Sequence, residues 1–365
     1  MGAATRDAQR LDPARFEGLV EGQRVGLFEL CAGDGLRLSV CNHGARVLQL
    51  LVPDHRGDLL DVVLGYDSLA QVLQGLPSMG AFIGRYANRI AQARLPWQGA
   101  SWALAANHGP HCLHGGPRGS RHQVFEVTRH EAQSLQLRWV FQEVDDGFPG
   151  DVLLELGYSL PGDGRVVIDY RAPVYGRATV LSLTGHTFFN LGGQATTDIL
   201  GHELALGADA FLVLDDGQIP TGEIAMLEPG GFDGQTPRVL ADWLTARDRA
   251  GRLLWPRGLD HCFIEARRAG EGHRLRRMAH VQCPQSGVGL EVWSDAEALQ
   301  VYAGGGLDAS LPGHAGKFGR VYGRFAGLCL EPQARPDSPN HPDWPSVWHA
   351  PGSLLRGRIE YRFRS

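Results

Sequence analysis

The stretch Leu135-Gln136-Leu137-Arg138-Trp139 puts an apolar side chain at every second position, with a polar one between each pair. Successive side chains of a β-strand point to opposite faces, so this is a strand with one face in a core and one in water. The same period governs Leu36-Arg37-Leu38-Ser39-Val40, and Ile359, Tyr361 and Phe363 alternate with charged neighbours near the end of the chain. Residues 59–64, 124–128, 152–160, 166–170, 180–183, 290–293, 299–302 and 328–330 read as further strands. Turn signals such as Gly162-Asp163-Gly164 and Asp215-Asp216-Gly217 lie between many of them. Only residues 67–74 and 239–249 carry helical spacing, and both are short. Strands at this density, without intervening helices, predict an all-β antiparallel sandwich or barrel.

Composition agrees. Glycine supplies 49 of 365 residues, roughly twice the usual ~7%, and with no G-X-Y period the excess reads as turns. The chain is long enough to bury a large core without a disulfide or metal staple. No Pro/Ser-rich linker or internal repeat divides it. The expected organisation is a polar N-terminal segment, residues 1–24, ahead of one β domain over residues 25–365.

Charge excludes several function classes. The net charge of −5 and the absence of any basic block leave no footprint for nucleic acid. No stretch of 18 apolar residues would span a membrane. Lys317 is the only lysine, and Gly316-Lys317 is followed by Phe318, so neither a Walker A loop nor a freely placed Schiff-base lysine fits. Residues 1–24 lack the apolar centre of a signal peptide. The six cysteines form no C-x-x-C pair and read as buried free thiols in a reducing, cytoplasmic setting.

Five stretches interrupt apolar or glycine-rich sequence with chemistry-bearing side chains. They are Gly84-Arg85-Tyr86-Ala87-Asn88-Arg89-Ile90; Asn107 through His114-Gly115-Gly116; Thr184-Gly185-His186-Thr187-Phe188-Phe189-Asn190-Leu191; Gly258-Leu259-Asp260-His261-Cys262-Phe263; and Leu328-Cys329-Leu330-Glu331-Pro332-Gln333, continuing to Asn340. Taken singly, each has a plain reading beside a sharper one. Glu331 ends an apolar run and is either a solvated strand end or a cleft carboxylate. His186 is either a hydrogen-bonded core histidine or an acid–base group, and Asp260 either caps a turn or faces a ligand. His108, His111, Cys112 and His114 invite a zinc reading, but their spacing is short and no second Cys/His pair completes a tetrahedral set. No metal is expected there.

In order, these stretches resemble the motifs of the aldose 1-epimerases (galactose mutarotases): G-R-x-A-N-R-I, N-x-L-H-G-G, T-N-H-x-Y-F-N-L, D-H-x-F and L-E-x-Q-x-x-P-D-x-x-N. They spread from Gly84 to Asn340 and so cover nearly the whole chain. The resemblance implies a large β-supersandwich of the galactose mutarotase-like kind. It also implies interconversion of the α and β anomers of galactose, glucose and similar aldoses, without metal or organic cofactor. It assigns the general base to Glu331 and the general acid to His186, with Asn88, Arg89, His114, Asp260, Phe188 and Gln300 toward the sugar. A small aldose is then the partner, with no nucleic acid and no membrane, and the protein is expected as a monomer or homodimer.

Two positions depart from the family pattern: Gly185 stands for its Asn, and Phe188 for its Tyr. The first is expected to loosen the strand that aims His186, and the second removes a phenol hydroxyl. Mutarotation needs a proton taken from O1 while O5 gains one, which calls for one base and one acid about the C1–O5 bond. With ordinary pKa values, Glu331 is ionised at neutral pH and His186 partly protonated, further so beside carboxylates. Trp97, Trp102, Trp139, Trp293 and Tyr302 are candidates to stack on the sugar. Three alternatives stand beside this reading. One is a hexose-6-phosphate 1-epimerase using Arg85 and Arg118, another a non-catalytic carbohydrate-binding protein on the same fold. The third is a glycoside hydrolase pairing Glu331 with Asp260.

Overall fold

A computed structural model describes residues 9–75, 78–194, 196–227, 232–248, 250–266 and 274–365. Two of the alternating stretches, those around Leu135 and Ile359, lie in the larger of two facing sheets. Its nine strands run Glu126–Glu131, Ser134–Phe141, Asp151–Ser159, Arg165–Tyr175, Leu354–Arg364, Gly289–Ser294, Arg276–Gln282, Glu203–Leu206 and Arg238–Val239 in spatial order. The second sheet has six: Phe188–Phe189, Leu328–Gln333, Ala298–Tyr302, Asp260–Ile264, Ala210–Leu214 and Pro220–Met226. All pairings within both sheets are antiparallel. Leu135, Leu137, Ile168 and Tyr361 of the first share one core with Phe263, Leu299, Val301 and Leu330 of the second. The two sheets therefore sandwich a common interior, as the alternation predicts.

Where alternation fails, charge pairing explains it. Glu360, between Ile359 and Tyr361, is buried, and Arg165, Arg358 and Arg362 close over its carboxylate at 3.4, 3.7 and 2.7 Å. A four-stranded sheet, Leu27–Cys31, Arg37–Cys41, Arg46–Pro53 and Leu59–Asp61, flanks the sandwich. Ahead of it, Gln9–Val25 lies against the body rather than apart from it. Gln49 bonds both Leu11 and Gln9, and Phe16 is fully buried beside Leu48 and Tyr66. Residues 1–8 of the proposed N-terminal segment lie outside the described residues.

Helix is scarce, as expected. Leu69–Gln74 begins where Ser68 Oγ accepts the Gln71 N–H, a side-chain cap on an otherwise orphaned donor. Leu240–Thr245 occupies the start of the second expected helix, whose last residue, Arg249, lies outside the described residues. A third, Glu143–Asp146, is a single turn stopped by Gly147 at φ +76°; its apolar spacing is too short to show in the sequence.

Lys317 ties the segment Ala303–Phe325 to the flanking sheet. Its ammonium donates to Asp61 Oδ2 at 2.6 Å and to the carbonyls of Leu48 and Val63 at 2.8 Å each. The side chain has no exposed area. All three N–H donors are satisfied, which is what makes a buried ammonium tolerable.

Candidate active site

The strand Leu328–Gln333 is buried at every residue, and its register sets Glu331 opposite Gln300 and Cys329 opposite Phe188. His186 reaches the same place from the connection before Phe188. Its N–H donates to Ala81 O at 2.8 Å, and its carbonyl accepts from Gly80 N at 2.9 Å. Only glycine serves at position 80, where φ is +69° and a Cβ would lie 1.9 Å from Val47 O. Position 185 is held as well: Gly185 pairs with Phe82, and a Cβ there would stand 3.3 Å from the Tyr361 hydroxyl.

His186 Nε2 and Glu331 Oε1 end up 3.7 Å apart. They share a cleft of about 460 Å³ with Asn88, Arg89, His114, Phe188, Asp260 and Tyr302. His114 Nδ1 accepts the Asn88 N–H at 3.1 Å, which leaves Nε2–H as the free donor of the neutral ring. Its ring meets that of His186 edge-on at 5.2 Å, while Phe188 lies tilted against His186 at 5.2 Å. Asn88 takes φ +65°, and its Oδ1 accepts from Arg89 N at 2.8 Å. Arg89 then donates to Gln218 Oε1 at 2.6 Å, and Gln218 to Asp260 Oδ2 at 3.2 Å.

Gln300 stands one layer back. Its amide donates to Asp260 Oδ1 at 2.6 Å, so it orients that carboxylate instead of facing the cleft itself. Of the five aromatic candidates, only Tyr302 lines the cleft. Trp97 and Trp102 pack on each other at 5.4 Å, Trp139 tilts on Phe125, and Trp293 lies under the Arg362 guanidinium. Sequence reasoning missed Gln218, His314, Ser78 and Arg121, all of which line the cleft from loops. Gln218 follows the Asp215-Asp216-Gly217 turn signal at φ +61°, and nothing local marks it as facing a ligand.

The arginines proposed for a phosphate point elsewhere. Arg85 is buried against Asp146 at 3.0 Å, and Arg118 is half exposed beside Glu21. The short histidine cluster does not converge either. His108 and His111 close a turn through their backbones, His111 Nδ1 accepts from Gln92 N, and Cys112 is buried with Ile90 and Leu95. Among the described residues, the possible ligand atoms that do converge belong to His186, Cys329 and Glu331. There, burial and the charges of Glu331 and Asp260 push the Cys329 thiol up, toward the form that does not ligate.

Electrostatics correct the expected charge states. Burial, with smaller contributions from the nearby cations Arg121 and Arg46, lowers His186 to about 3. Burial raises Glu331 well above the usual carboxylate range; Asp260 adds to the rise and Arg89 opposes it. Desolvation thus outweighs the attraction between the two groups and draws the free cleft toward neutral imidazole and protonated carboxyl.

A neighbouring groove is larger, about 1180 Å³, and joins the cleft at Gln218, Arg257 and Gly258. It holds neither Glu331 nor His186.

Comparison with known proteins identifies the family. The family described as aldose 1-epimerase matches residues 26–362. Galactose mutarotase of Bos taurus is 37% identical over 90% of this chain and 92% of its own. Aldose 1-epimerase of Escherichia coli (strain K12) is 31% identical over 94% and 96%. The solved structure of a GalM/aldose epimerase homologue from C. elegans superposes with a TM-score of 0.83 at 29% identity, covering 93% of this chain and 99% of that one. A galactose 1-epimerase from Lactobacillus acidophilus, at 21% identity and TM-score 0.79, shares the fold. With motifs, fold and cleft in agreement, the chain belongs to the aldose 1-epimerase family.

Proposed function

We propose that this protein interconverts the α and β anomers of free aldoses such as galactose and glucose, with Glu331 as base and His186 as acid. The observation that carries the reading is the 3.7 Å approach of these two buried groups, in one cleft with Arg89, His114 and Asp260. Glu331 takes the O1 proton as His186 gives one to O5. The ring opens, C1–C2 rotates, and the reverse transfers close it on the other carbonyl face.

Counting protons reconciles this with the shifted pKa values. Before opening, the pair holds one proton, on His186; after opening it holds one, on Glu331. Burial favours the second arrangement, which is the pair as it stands beside the open-chain sugar. Arg89 next to Glu331 favours the first. The pair therefore titrates as a unit. It gains a second proton only in strong acid and loses its last one above the usual carboxylate range, so the acid limb of the activity profile should lie well below neutral pH. The C1–O5 bond breaks and re-forms as the two protons move, and one base and one acid are the side chains those transfers call for.

Polarimetry tests the reading. Freshly dissolved α-D-galactose or α-D-glucose should reach its equilibrium rotation faster with the protein than without it. Glu331→Gln keeps the shape but removes the base, and should slow turnover about 10²–10⁴-fold with little change in KM. A variant as fast as the unmodified protein sinks the assignment.

A further inference from the structure

One part of the cleft is built for charge that a neutral hexose does not carry. Ser78 and Arg121 line it alongside His114 and His186. Arg121 donates through Nη1 to Ser78 Oγ at 2.8 Å and through Nε to His122 Nε2 at 2.9 Å, which leaves Nη2 unclaimed. Ser78, accepting from Arg121, keeps its own O–H free to donate. Behind them Arg46, only 2% exposed, donates to the carbonyls of Met79 and Arg121 at 2.9 Å each. It staples together the two loops that present Ser78 and Arg121, while its Nε has no partner.

No carboxylate among the described residues pairs with Arg46 or Arg121. The fold does pair other buried cations: Arg85 with Asp146, Arg335 with Glu297 and Lys317 with Asp61. The imbalance reaches its neighbours. His43 is lowered to about 4, first by burial and then by Arg46, and His122 to about 4, first by burial and then by Arg121 and Arg46. A buried guanidinium without a counter-charge is costly, and a ligand anion is what would offset it.

We infer that this end of the cleft receives an anionic substituent on C6 of the aldose, and that the substrate class includes hexuronates. The inference rests on the proposed function, with His186 at O5, and on a pose that turns the neighbouring C5–C6 arm toward His114, Ser78 and Arg121. One unclaimed guanidinium nitrogen and one hydroxyl suit a carboxylate, whose two oxygens they can meet. A phosphate dianion brings three oxygens and more charge, and Arg85 and Arg118 are turned away from it. A carboxylate here would also offset the cations that oppose protonation of His186, so its benefit should appear in kcat as well as in KM.

The test compares D-galacturonate and D-glucuronate with D-galactose and D-glucose by polarimetry. The unmodified protein should turn over at least one uronate with a kcat/KM no lower than that of its parent hexose. Arg121→Gln should lower the uronate-to-hexose ratio of kcat/KM about tenfold or more, the loss of one charged hydrogen bond. Ser78→Ala should lower it by less, and Arg121→Lys should keep part of it. Added salt should slow the uronate and spare the hexose. Because the readout is a ratio on one sample, partial misfolding of a variant cancels.

An unchanged ratio in both Arg121→Gln and Ser78→Ala overturns the inference, as does a hexose 6-phosphate that outruns both uronates. Acceleration of hexoses but of neither uronate defeats this inference alone. Acceleration of no sugar defeats the proposed function instead.

Discussion

Lys317 and Glu331 are both ionisable side chains sealed inside the fold, with 0% and 2% of their surface exposed, and their surroundings could hardly differ more. Lys317 has an acceptor for every N–H, one of them the Asp61 carboxylate. Glu331 has Oε2 buried with no hydrogen-bond partner, and its Oε1 faces His186 across a gap too long for a hydrogen bond. Native proteins satisfy their buried polar groups, so an exception calls for a reason. The satisfied charge holds the structure together; the other group, in the mechanism proposed above, is left open to a substrate. Local rules tend to break where function demands it.

The largest effect should separate the two sites outright. Glu331→Gln and His186→Asn should each remove most turnover while the thermal midpoint holds or rises, since each deletes an ill-satisfied buried group. Their double variant should lose less than the product of the two, because the pair acts as a unit. A drop of many degrees in either single variant would make the cleft pair structural and erase the contrast.

Lys317→Met is the mirror experiment. It strands Asp61 without its cation and should cost about 3–5 kcal/mol in denaturant unfolding, with kcat per folded molecule within a few-fold. Adding Asp61→Asn should recover part of the loss. If Lys317→Met unfolds at the unmodified midpoint, the buried ammonium is not the anchor described here.

Acid should sharpen the comparison further. Burial lowers His43, His202 and His261 to about 4, and His186 to about 3. These rings are neutral in the fold and protonate in the unfolded chain. The stability they supply is therefore complete above about pH 6.5 and is lost as pH falls toward 4, at most roughly 3 kcal/mol for each ring. Unfolding midpoints measured across that window should drop steeply. His186→Asn should flatten the slope, and Glu331→Gln should not.

At the small end lies Arg138, paired with Glu126 on the exposed face of the larger sheet. Arg138→Ala should cost less than about 1 kcal/mol by the same unfolding measurement. A larger loss would mean that surface pairs do some of the holding assigned to Lys317.

Much of this was legible in the residues. Alternation at Leu135–Trp139 names a strand because one face must be buried, and the structure buries Leu135 and Leu137 while exposing Gln136 and Arg138. Glu331, His186, Asn88, Arg89, His114 and Asp260 stand in motifs, and the fold brings them to one cleft. Gln218, Ser78 and Arg121 stand in none. They arrive on loops whose paths depend on distant contacts, such as Arg46 bonding Met79 and Arg121 at once. The charge state of His186 escapes the sequence for a related reason. Composition supplies a side chain's ordinary pKa, whereas burial, which here dominates, is a property of the whole fold.

The sealing of Lys317 has a consequence beyond stability. Ring opening, as proposed, sets an aldehyde free within the protein at every turnover, and an aldehyde condenses with an unprotonated ε-amine to a Schiff base. That is the first step of glycation. Here the chain's single lysine is locked beneath Leu48, Val63 and Asp61, and every other basic side chain with a fixed charge is an arginine. No ε-amine is left where the product of the reaction can reach it. A protein that spends its life among reducing sugars thus presents them no lysine to glycate.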